Sequence, residues 1–285
     1  MKWLQRNELP VCIRFPGFDP PVEKWLNGRV KKRGLFISVE GGDGAGKSTQ
    51  ARLLAGWLRR GGMDVVHTRE PGGTSIAEAV RRVLLRPGGR VSPMTELFLY
   101  EAARAQHVAE IIAPALKAGK TVLCERYTDA TEAYQGWGRC LPLDQIRTLN
   151  RIATGGLQPD LTLLLEAPVA DGLRRARSRG KGGDRLEREP DLFHRRVRVG
   201  YRAIAKREPR RVKIVSWATG VEKVHEKVLL VVERFLTGCG FKIRETARAS
   251  FDRLRMSGFV EARTSVKRTG SPFDKLRVSG IRRGS

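Results

Sequence analysis

The chain has 285 residues, a formal net charge of +25, and a hydrophobic content of 40%. This content is sufficient for a core, and no apolar run approaches the roughly 18 residues that a membrane span requires, which argues against a membrane protein. The N-terminus lacks an apolar signal segment, and the four cysteines are scattered without metal-site spacing, so we expect a protein of the reducing cytoplasm.

Residues 1–33 are predicted to be a poorly ordered N-terminal extension. They contain four prolines and end in a basic run, a composition that does not favour a packed core. This segment has a net charge of +5, and residues 241–285 have +8, so half of the excess positive charge lies in the two ends. The charge therefore has two interpretations: nucleic-acid binding by the ends, or a central site that attracts anionic substrates.

A glycine-rich loop follows the first predicted strand, residues 35–39, and precedes a predicted helix, residues 48–60. Its spacing is G-x-x-x-x-G-K-S, typical of a phosphate-binding loop. Backbone N–H groups in such a loop converge on phosphate oxygens at the N-terminus of the helix. The predicted ATP-binding residues are Gly41, Gly42, Asp43, Gly44, Ala45, Gly46, Lys47, Ser48 and Thr49. Lys47 is expected to reach the terminal phosphates, and the Ser48 hydroxyl to ligate Mg²⁺.

The remaining chain to about residue 236 alternates short apolar segments with helical patterns. We predict strands at 64–68, 121–124, 161–165 and 212–215, and helices at 74–85, 93–118, from about 129, 142–154, 169–179, 188–207 and 221–236. This order predicts an α/β fold of three layers, with a five-stranded parallel sheet between helices. Ligands bind at the carboxyl ends of such strands. Residues 41–48, 69–74, 125–127 and Glu166 all follow predicted strands, so we expect them to form one site.

Five further segments resemble, in order and spacing, the motifs of the thymidylate kinase family. They read TREPGGT at 68–74, YEAARAQH at 100–107, ERY at 125–127, AYQG at 133–136 and PDLT at 159–162. The resemblance covers residues 34 to about 236 and implies a P-loop NTPase-type domain over 34–238. It also implies transfer of the γ-phosphoryl group of ATP to dTMP, with Mg²⁺ as cofactor.

The resemblance implies how the acceptor dTMP is held by its phosphate and sugar. Asp43 would accept a hydrogen bond from the 3'-hydroxyl. Arg69 and Arg126 would bind the 5'-phosphate, because a guanidinium group pairs well with phosphate oxygens. Pro71 would shape the turn beneath that phosphate.

The base would be recognised mainly by two residues of one helix. Tyr100 and Arg104 share a face at positions i and i+4, so the ring could stack on thymine while the guanidinium donates to a base carbonyl. Tyr134 would also crowd a ribose 2'-hydroxyl. The residues implied for the other side of the pocket are Thr131, Tyr134 and Gln135.

The resemblance further implies a mobile lid at about residues 174–186 that supplies a catalytic arginine. Family members carry this arginine either in the phosphate loop or in the lid, and the loop position here is Gly44. The implied catalytic residues are Lys47, Arg126, Arg175, Arg177 and Arg179. The family commonly has Asp where Glu125 and Glu166 stand, so these two are expected at most to act on Mg²⁺ through an intervening water. Either could instead be a strand-end carboxylate with a structural bond.

Three alternatives remain open from the sequence. The chain could phosphorylate another nucleoside monophosphate or small acceptor, or bind nucleic acid through its basic ends, although we do not expect a nucleic-acid partner. An inactive relative is disfavoured because the loop lysine and the phosphate-binding arginines are present. The resemblance implies a homodimer formed through long helices such as 93–118. Residues 239–285, in which 250–258 recurs at 272–280, are predicted to be a disordered basic tail.

Overall fold

The computed structural model describes residues 33–178, 184–241 and 244. Within these residues one parallel sheet contains five strands in the order β2-β3-β1-β4-β5. The strands are β1 (Phe36–Glu40), β2 (Val65–Arg69), β3 (Thr121–Glu125), β4 (Leu161–Glu166) and β5 (Val212–Ser216). The predicted α/β fold is confirmed, and every strand ends one residue later than predicted. The added residues are polar and extend the hydrogen-bonded ladder to the edge where ligands bind.

Nine α-helices are assigned among the described residues. They are α1 (Lys47–Arg60), α2 (Ser75–Leu85), α3 (Pro93–His107), α4 (Ala113–Lys117), α5 (Thr128–Thr131), α6 (Leu143–Thr154), α7 (Val169–Ser178), α8 (Asp191–Arg207) and α9 (Val221–Gly238). The hydroxyls of Thr74 and Ser92 cap α2 and α3 by accepting from the backbone N–H of the third helical residue, Ala77 and Thr95. α8 begins after Pro190 rather than at Arg188, because a proline disfavours helical conformation in the residue before it.

The single long helix predicted at 93–118 is wrong, because a π-helical turn at Val108–Ile112 separates α3 from α4. Pro114 explains the interruption. It has no N–H for the carbonyl four residues earlier, and its ring would collide with that carbonyl in a regular helix. A second π-helical turn, Glu132–Gly138, continues α5 and carries Tyr134 and Gln135.

The core lies on both faces of the sheet. On one face, Ile37 and Val39 pack with α1 and α9 through residues such as Leu58 and Val232. On the other face, Phe36 packs with the π-helical turn after α3 and with α4. β1 is buried along its whole length, as expected of a central parallel strand covered by helices on both sides. Among the described residues, no helix combines the length and apolar character needed to cross a bilayer.

The folded part extends slightly beyond the predicted domain limits. Arg33, which we placed in the N-terminal extension, pairs with Asp160 at 2.5 Å between Nη2 and Oδ1. At the other end, the N–H of Phe241 donates to the carbonyl of Leu236 at 2.9 Å. Predictions for residues 1–32 and for the repeats beyond 244 lie outside the described residues.

Candidate active site

The phosphate loop connects the end of β1 to the start of α1. Gly46 caps α1 in the left-handed conformation, with φ of 93°, which favours glycine. The Lys47 ammonium donates to the carbonyls of Gly41 and Gly42 at 3.0 and 2.7 Å. Burial, followed by repulsion from Arg126, lowers the pKa of Lys47 to about 7. The loop thus holds a desolvated lysine whose positive charge a bound phosphate would favour.

A cavity of about 570 Å³ adjoins this loop. It brings together most of the predicted site residues, which come from α1, β2, β3, α3, α5, the π-helical turn after α5 and the loops that follow the strands. The predicted residues that line it are Asp43, Gly44, Gly46, Lys47, Ser48, Arg69, Pro71, Tyr100, Arg104, Glu125, Arg126, Thr131, Tyr134 and Gln135. Gly41, Gly42, Ala45 and Thr49 belong to the loop but are not among the lining residues.

Arg126 lies at the centre of this cavity wall and links the loop to the acceptor side. Its Nη2 donates to Asp43 Oδ1 at 2.5 Å and to the Tyr134 hydroxyl at 3.0 Å. The Tyr134 hydroxyl donates in turn to Asp43 Oδ2 at 2.8 Å, and the Arg126 guanidinium lies 4.7 Å from the centre of the Tyr134 ring. Burial alone would raise the pKa of Asp43, but Arg126 and Lys47 outweigh it and hold the pKa below its usual value.

Arg81 is a third arginine at the acceptor side, and the sequence analysis missed it. It lines the cavity with Arg69 and Arg126 and donates to the carbonyl of Pro71 at 2.9 Å. Burial and then repulsion from Arg69 lower its pKa. A signal was available, because Arg81 is four residues after Ala77, on the buried face of α2. Three arginines that repel one another in one cavity indicate a site for a multiply charged anion.

Ser48 and Glu125 provide oxygen atoms at the base of the phosphate loop. Ser48 Oγ donates to Glu125 Oε2 at 2.5 Å, and Glu125 Oε1 is 3.0 Å from His67 Nε2. Burial opposes ionisation of Glu125, but hydrogen bonds from His67 and Ser48 lower its pKa, so the carboxylate is charged. A hydroxyl and a carboxylate are the hard oxygen donors that suit Mg²⁺. The donor set at this place therefore fits the implied ion.

The structure does not bring Glu166 to this place. Its carboxylate accepts from Arg202 at 2.5 and 3.0 Å and from Arg198 at 3.3 Å, both on α8. β4, which ends with Glu166, lies on the opposite side of β1 from β3. The structure favours the second alternative for Glu166, a strand-end carboxylate with a structural bond: it forms an ion pair that holds α8 against the sheet.

The far end of the cavity combines aromatic, guanidinium and hydroxyl groups. Tyr100 and Arg104 both line it, and burial raises the pKa of the Tyr100 hydroxyl, which therefore remains protonated. The hydroxyl of Thr131 is buried and has no hydrogen-bond partner among the described residues. Gln135 donates its amide to Glu96 at 2.7 Å, which fixes the orientation of the amide. These groups form a pocket wall with a few directed polar atoms, as small-molecule sites have.

α7 carries the first part of the predicted lid and packs on the phosphate loop. A Cβ on Gly44 would lie 1.8 Å from the carbonyl oxygen of Gly172, so the two backbones are in close contact. Arg175 lies with its guanidinium 5.4 Å from the centre of the Trp217 ring, and Arg177 is exposed. Arg179 lies outside the described residues. Arg175 and Arg177 are thus on the helix that touches the loop.

This combination of a phosphate loop, a lysine and hydroxyl at the start of a helix, and an adjoining basic cavity defines a P-loop phosphotransferase. Comparisons with known proteins identify the family. The family model for thymidylate kinase matches residues 39–228. The thymidylate kinase of Synechococcus sp. (strain JA-3-3Ab) is 54% identical over 199 residues, which is 70% of this chain and 95% of that protein. The chain belongs to the thymidylate kinase family.

Other relatives agree with this assignment. The thymidylate kinase of Pelotomaculum thermopropionicum is 46% identical over 205 residues, which is 72% of this chain and 95% of that protein. The crystal structure of thymidylate kinase from Ehrlichia chaffeensis superposes with a TM-score of 0.58 at 34% identity, covering 70% of this chain and 99% of that one. The family resemblance inferred from the sequence and the P-loop fold are both confirmed.

Proposed function

We propose that the protein transfers the γ-phosphoryl group of ATP to dTMP, giving dTDP and ADP. One observation carries the proposal: the phosphate loop and a second anion-binding region, with Arg69, Arg81 and Arg126, line the same cavity. A donor phosphate chain and an acceptor phosphate would therefore lie side by side. The family relatives, which carry the name thymidylate kinase, support dTMP as the acceptor.

dTMP would bind with its phosphate on the arginines and its base at the far end of the cavity. Asp43 would contact the sugar, Pro71 would support the phosphate, and Tyr134 would exclude a 2'-hydroxyl. The groups that would contact thymine are Tyr100, Arg104, Thr131 and Gln135. The unpartnered hydroxyl of Thr131 supports this arrangement, since a buried polar atom needs a partner that a ligand could supply.

Catalysis would consist of alignment and charge stabilisation without a covalent intermediate. Lys47 and Arg126 lie in the cavity wall and would neutralise charge on the transferring phosphoryl group. Arg175, Arg177 and Arg179 are the candidates for the lid arginine. Closure of residues 174–186 would bring one of them to the phosphates and exclude water.

Mg²⁺ would be held by Ser48 and, directly or through water, by Glu125. The bound ion would neutralise charge on the β- and γ-phosphates of ATP. The test compares Glu125→Gln with Glu166→Gln, because both are strand-end carboxylates but only Glu125 contacts Ser48. Mn²⁺ binding in the presence of ATP, followed by electron paramagnetic resonance, should weaken in Glu125→Gln alone. Equal binding in both variants would contradict the assignment.

A homodimer is proposed from exposed apolar side chains on α3 and α2. Met94 and Phe98 are four residues apart on α3, and Ile76 and Val83 are exposed on the neighbouring α2. Phe98 is 54% exposed, and a second copy of the chain would cover this surface. Sedimentation should show a dimer that Phe98→Asp dissociates. Ile152→Asp, at a position that is 65% exposed on α6, should leave it intact.

The catalytic unit is proposed to lie within residues 33–244, in the cytoplasm, with the two ends dispensable. A truncated protein of these residues should retain dTMP kinase activity. Loss of activity with retention of nucleic-acid binding by the full chain would favour the alternative in which the basic ends carry the function.

The decisive experiment is a substrate panel with ATP and Mg²⁺. Turnover of dTMP to dTDP, with little turnover of AMP or CMP, is expected. Arg104→Ala should raise the KM for dTMP far more than the KM for ATP. Turnover of a different acceptor without dTMP would overturn the substrate assignment.

A further inference from the structure

A buried cluster of polar and ionisable side chains adjoins the proposed dTMP site, and two of its members, Glu70 and Arg104, line the cavity. It consists of Thr68, Glu70, Arg104 and His107, none of which is assigned a chemical step. The cluster connects the turn after β2, which carries Arg69 and Pro71, to α3, which carries Arg104. An inference about its role rests on the proposed function, because Arg69 and Arg104 are proposed to bind opposite ends of dTMP.

Glu70 joins the two sides of the cluster. Its Oε2 accepts from Arg104 Nε at 2.8 Å, and its Oε1 is 3.1 Å from His107 Nδ1. The side chain is only 4% exposed, whereas that of the adjacent Arg69 is 52% exposed. Neighbouring side chains on extended backbone point in opposite directions. Arg69 can therefore face the phosphate of dTMP, while the adjacent Glu70 supports recognition of the base through Arg104.

His107 is fully buried and is held through both ring nitrogens. A carboxylate can only accept, so Nδ1 carries the hydrogen that is donated to Glu70. In the neutral ring, Nε2 then accepts from the Thr68 hydroxyl at 2.7 Å. A Cβ on Gly73 would lie 2.7 Å from His107 Nε2 and 2.8 Å from Thr68 Oγ1. The turn after β2, which carries Arg69 and Pro71, therefore packs directly against the His107 ring.

The cluster also determines what Arg104 can offer to a ligand. Protein acceptors take four of its five N–H groups: Glu70 at Nε, Glu101 and Asn150 at Nη1, and the Tyr127 carbonyl at Nη2. Because the guanidinium is planar, fixing four N–H groups also fixes the direction of the fifth. Among the described residues, one Nη2 N–H therefore remains, with a defined direction for an acceptor in the cavity that Arg104 lines.

A metal site is the competing interpretation, because ligand atoms of Glu70, His107 and Cys124 lie within 4.8 Å of one another. Each of those atoms already has a hydrogen-bond partner, including the Cys124 thiol, which donates to the Arg126 carbonyl at 3.1 Å. Burial raises the pKa of this thiol well above its usual value, so it remains protonated. The cationic Arg104 in contact with Glu70 further opposes a bound cation.

We propose that Glu70 and His107 are positioning residues that couple the phosphate-binding turn to the base-binding Arg104. In this arrangement the two ends of dTMP are not recognised independently. The coupling passes from the turn to His107, from His107 to Glu70, and from Glu70 to Arg104. Disturbing it should weaken both base binding and phosphate binding.

The test measures the dissociation constants of dTMP, thymidine and ATP by calorimetry. Glu70→Gln should weaken dTMP binding by about tenfold or more, as expected for loss of a hydrogen bond between charged groups, and ATP binding less than twofold. Thymidine, which lacks the phosphate, should be weakened by a smaller factor than dTMP. His107→Gln, which removes the contact with Glu70, should have the same pattern.

Glu101→Gln is the matched control. Glu101 also accepts from Arg104, at 3.0 Å to both oxygens, but it does not contact His107 or the turn. This variant should weaken dTMP and thymidine by the same factor. The ratio of the two dissociation constants therefore separates coupling from simple support of Arg104.

Three results would overturn the proposal. The first is an equal loss of dTMP and thymidine binding in Glu70→Gln and in His107→Gln. The second is an equal loss of ATP binding, which would indicate general destabilisation. If Glu70→Gln does not fold, His107→Gln alone decides the test. The third is stoichiometric Zn²⁺ binding to the wild-type protein that Glu70→Gln abolishes. Failure of the wild type to bind dTMP would instead contradict the proposed function.

Discussion

Removal of the Tyr134 hydroxyl tests how the acceptor site is held together. In Tyr134→Phe the ring keeps its edge contacts with Phe193 and Tyr201 and its place under Arg126. The variant loses the bonds of the hydroxyl with Asp43 at 2.8 Å and with Arg126 at 3.0 Å. A hydrogen bond to a charged group contributes about 1.5–3 kcal/mol, and the remaining Asp43–Arg126 pair favours the lower end of this range.

A loss of that size corresponds to about a tenfold change in an equilibrium constant. We therefore expect the KM for dTMP to rise about tenfold and the KM for ATP to change less than twofold, measured in a coupled ADP-release assay. Discrimination against the ribonucleotide should remain, because the ring is still present. An equal rise in both KM values, or no rise for dTMP, would refute the assignment of this triad to the acceptor.

Tyr127→Phe is the control for this experiment. Tyr127 is also buried, and its hydroxyl donates to the carbonyl of Leu157 at 3.1 Å, away from Asp43. Each lost kcal/mol lowers the unfolding midpoint of a domain of this size by about 2–4 °C. Both variants should therefore unfold a few degrees below the wild type, but only Tyr134→Phe should affect the KM for dTMP.

Two further predictions concern the loop. The pKa of about 7 leaves Lys47 mostly neutral at pH 8 and mostly charged at pH 6, and a bound phosphate favours the ammonium form. ATP binding should therefore be accompanied by uptake of close to one proton at pH 8 and of none at pH 6. Calorimetry in two buffers of different ionisation enthalpy measures this uptake. If proton uptake persists in Lys47→Arg, it belongs instead to Glu40, because burial raises the pKa of Glu40 to about 8. Gly172→Ala should lower kcat/KM for ATP at least tenfold and destabilise the fold, because its Cβ would lie 2.4 Å from the Asp43 carbonyl oxygen. The control is Gly56→Ala, within α1, where a Cβ has room; it should stabilise the fold by about 0.4–1 kcal/mol. Unchanged activity in Gly172→Ala would contradict tight packing of α7 on the loop.

The fold and the centre of the site could be predicted because their signals are local. Apolar strands, helix caps and the glycine loop are each readable within about a dozen residues, and the carboxyl ends of parallel strands must meet. The strand order and the partners of charged side chains are not local. Glu166 had the same sequence signal as Glu125, but α8 supplies arginines that capture it. No sequence pattern specifies how α8 is rotated against the sheet.

Glu40 and Tyr201 illustrate the same limit. A carboxylate at the end of an apolar strand, directly before the glycine loop, was visible in the sequence and is fully buried in the structure. Its partner was not visible, because the Tyr201 hydroxyl that donates to it at 2.8 Å is 161 residues further along the chain. Tyr201 also accepts from Arg126 at 3.4 Å. α8, which follows the lid, is thereby connected to the phosphate-binding arginine.

The contact between Gly44 and Gly172 gives a physical reason for a lid arginine. A side chain on residue 44 would require its Cβ to occupy the place of the Gly172 carbonyl, 1.8 Å away, and would adopt a φ of 67° that favours glycine. An arginine in the loop is therefore incompatible with α7 in its present place. The same packing places Arg175 and Arg177 on the helix that touches the loop. In this chain a loop arginine and the present position of α7 exclude each other, because the backbone of α7 fills the space that a loop arginine would need.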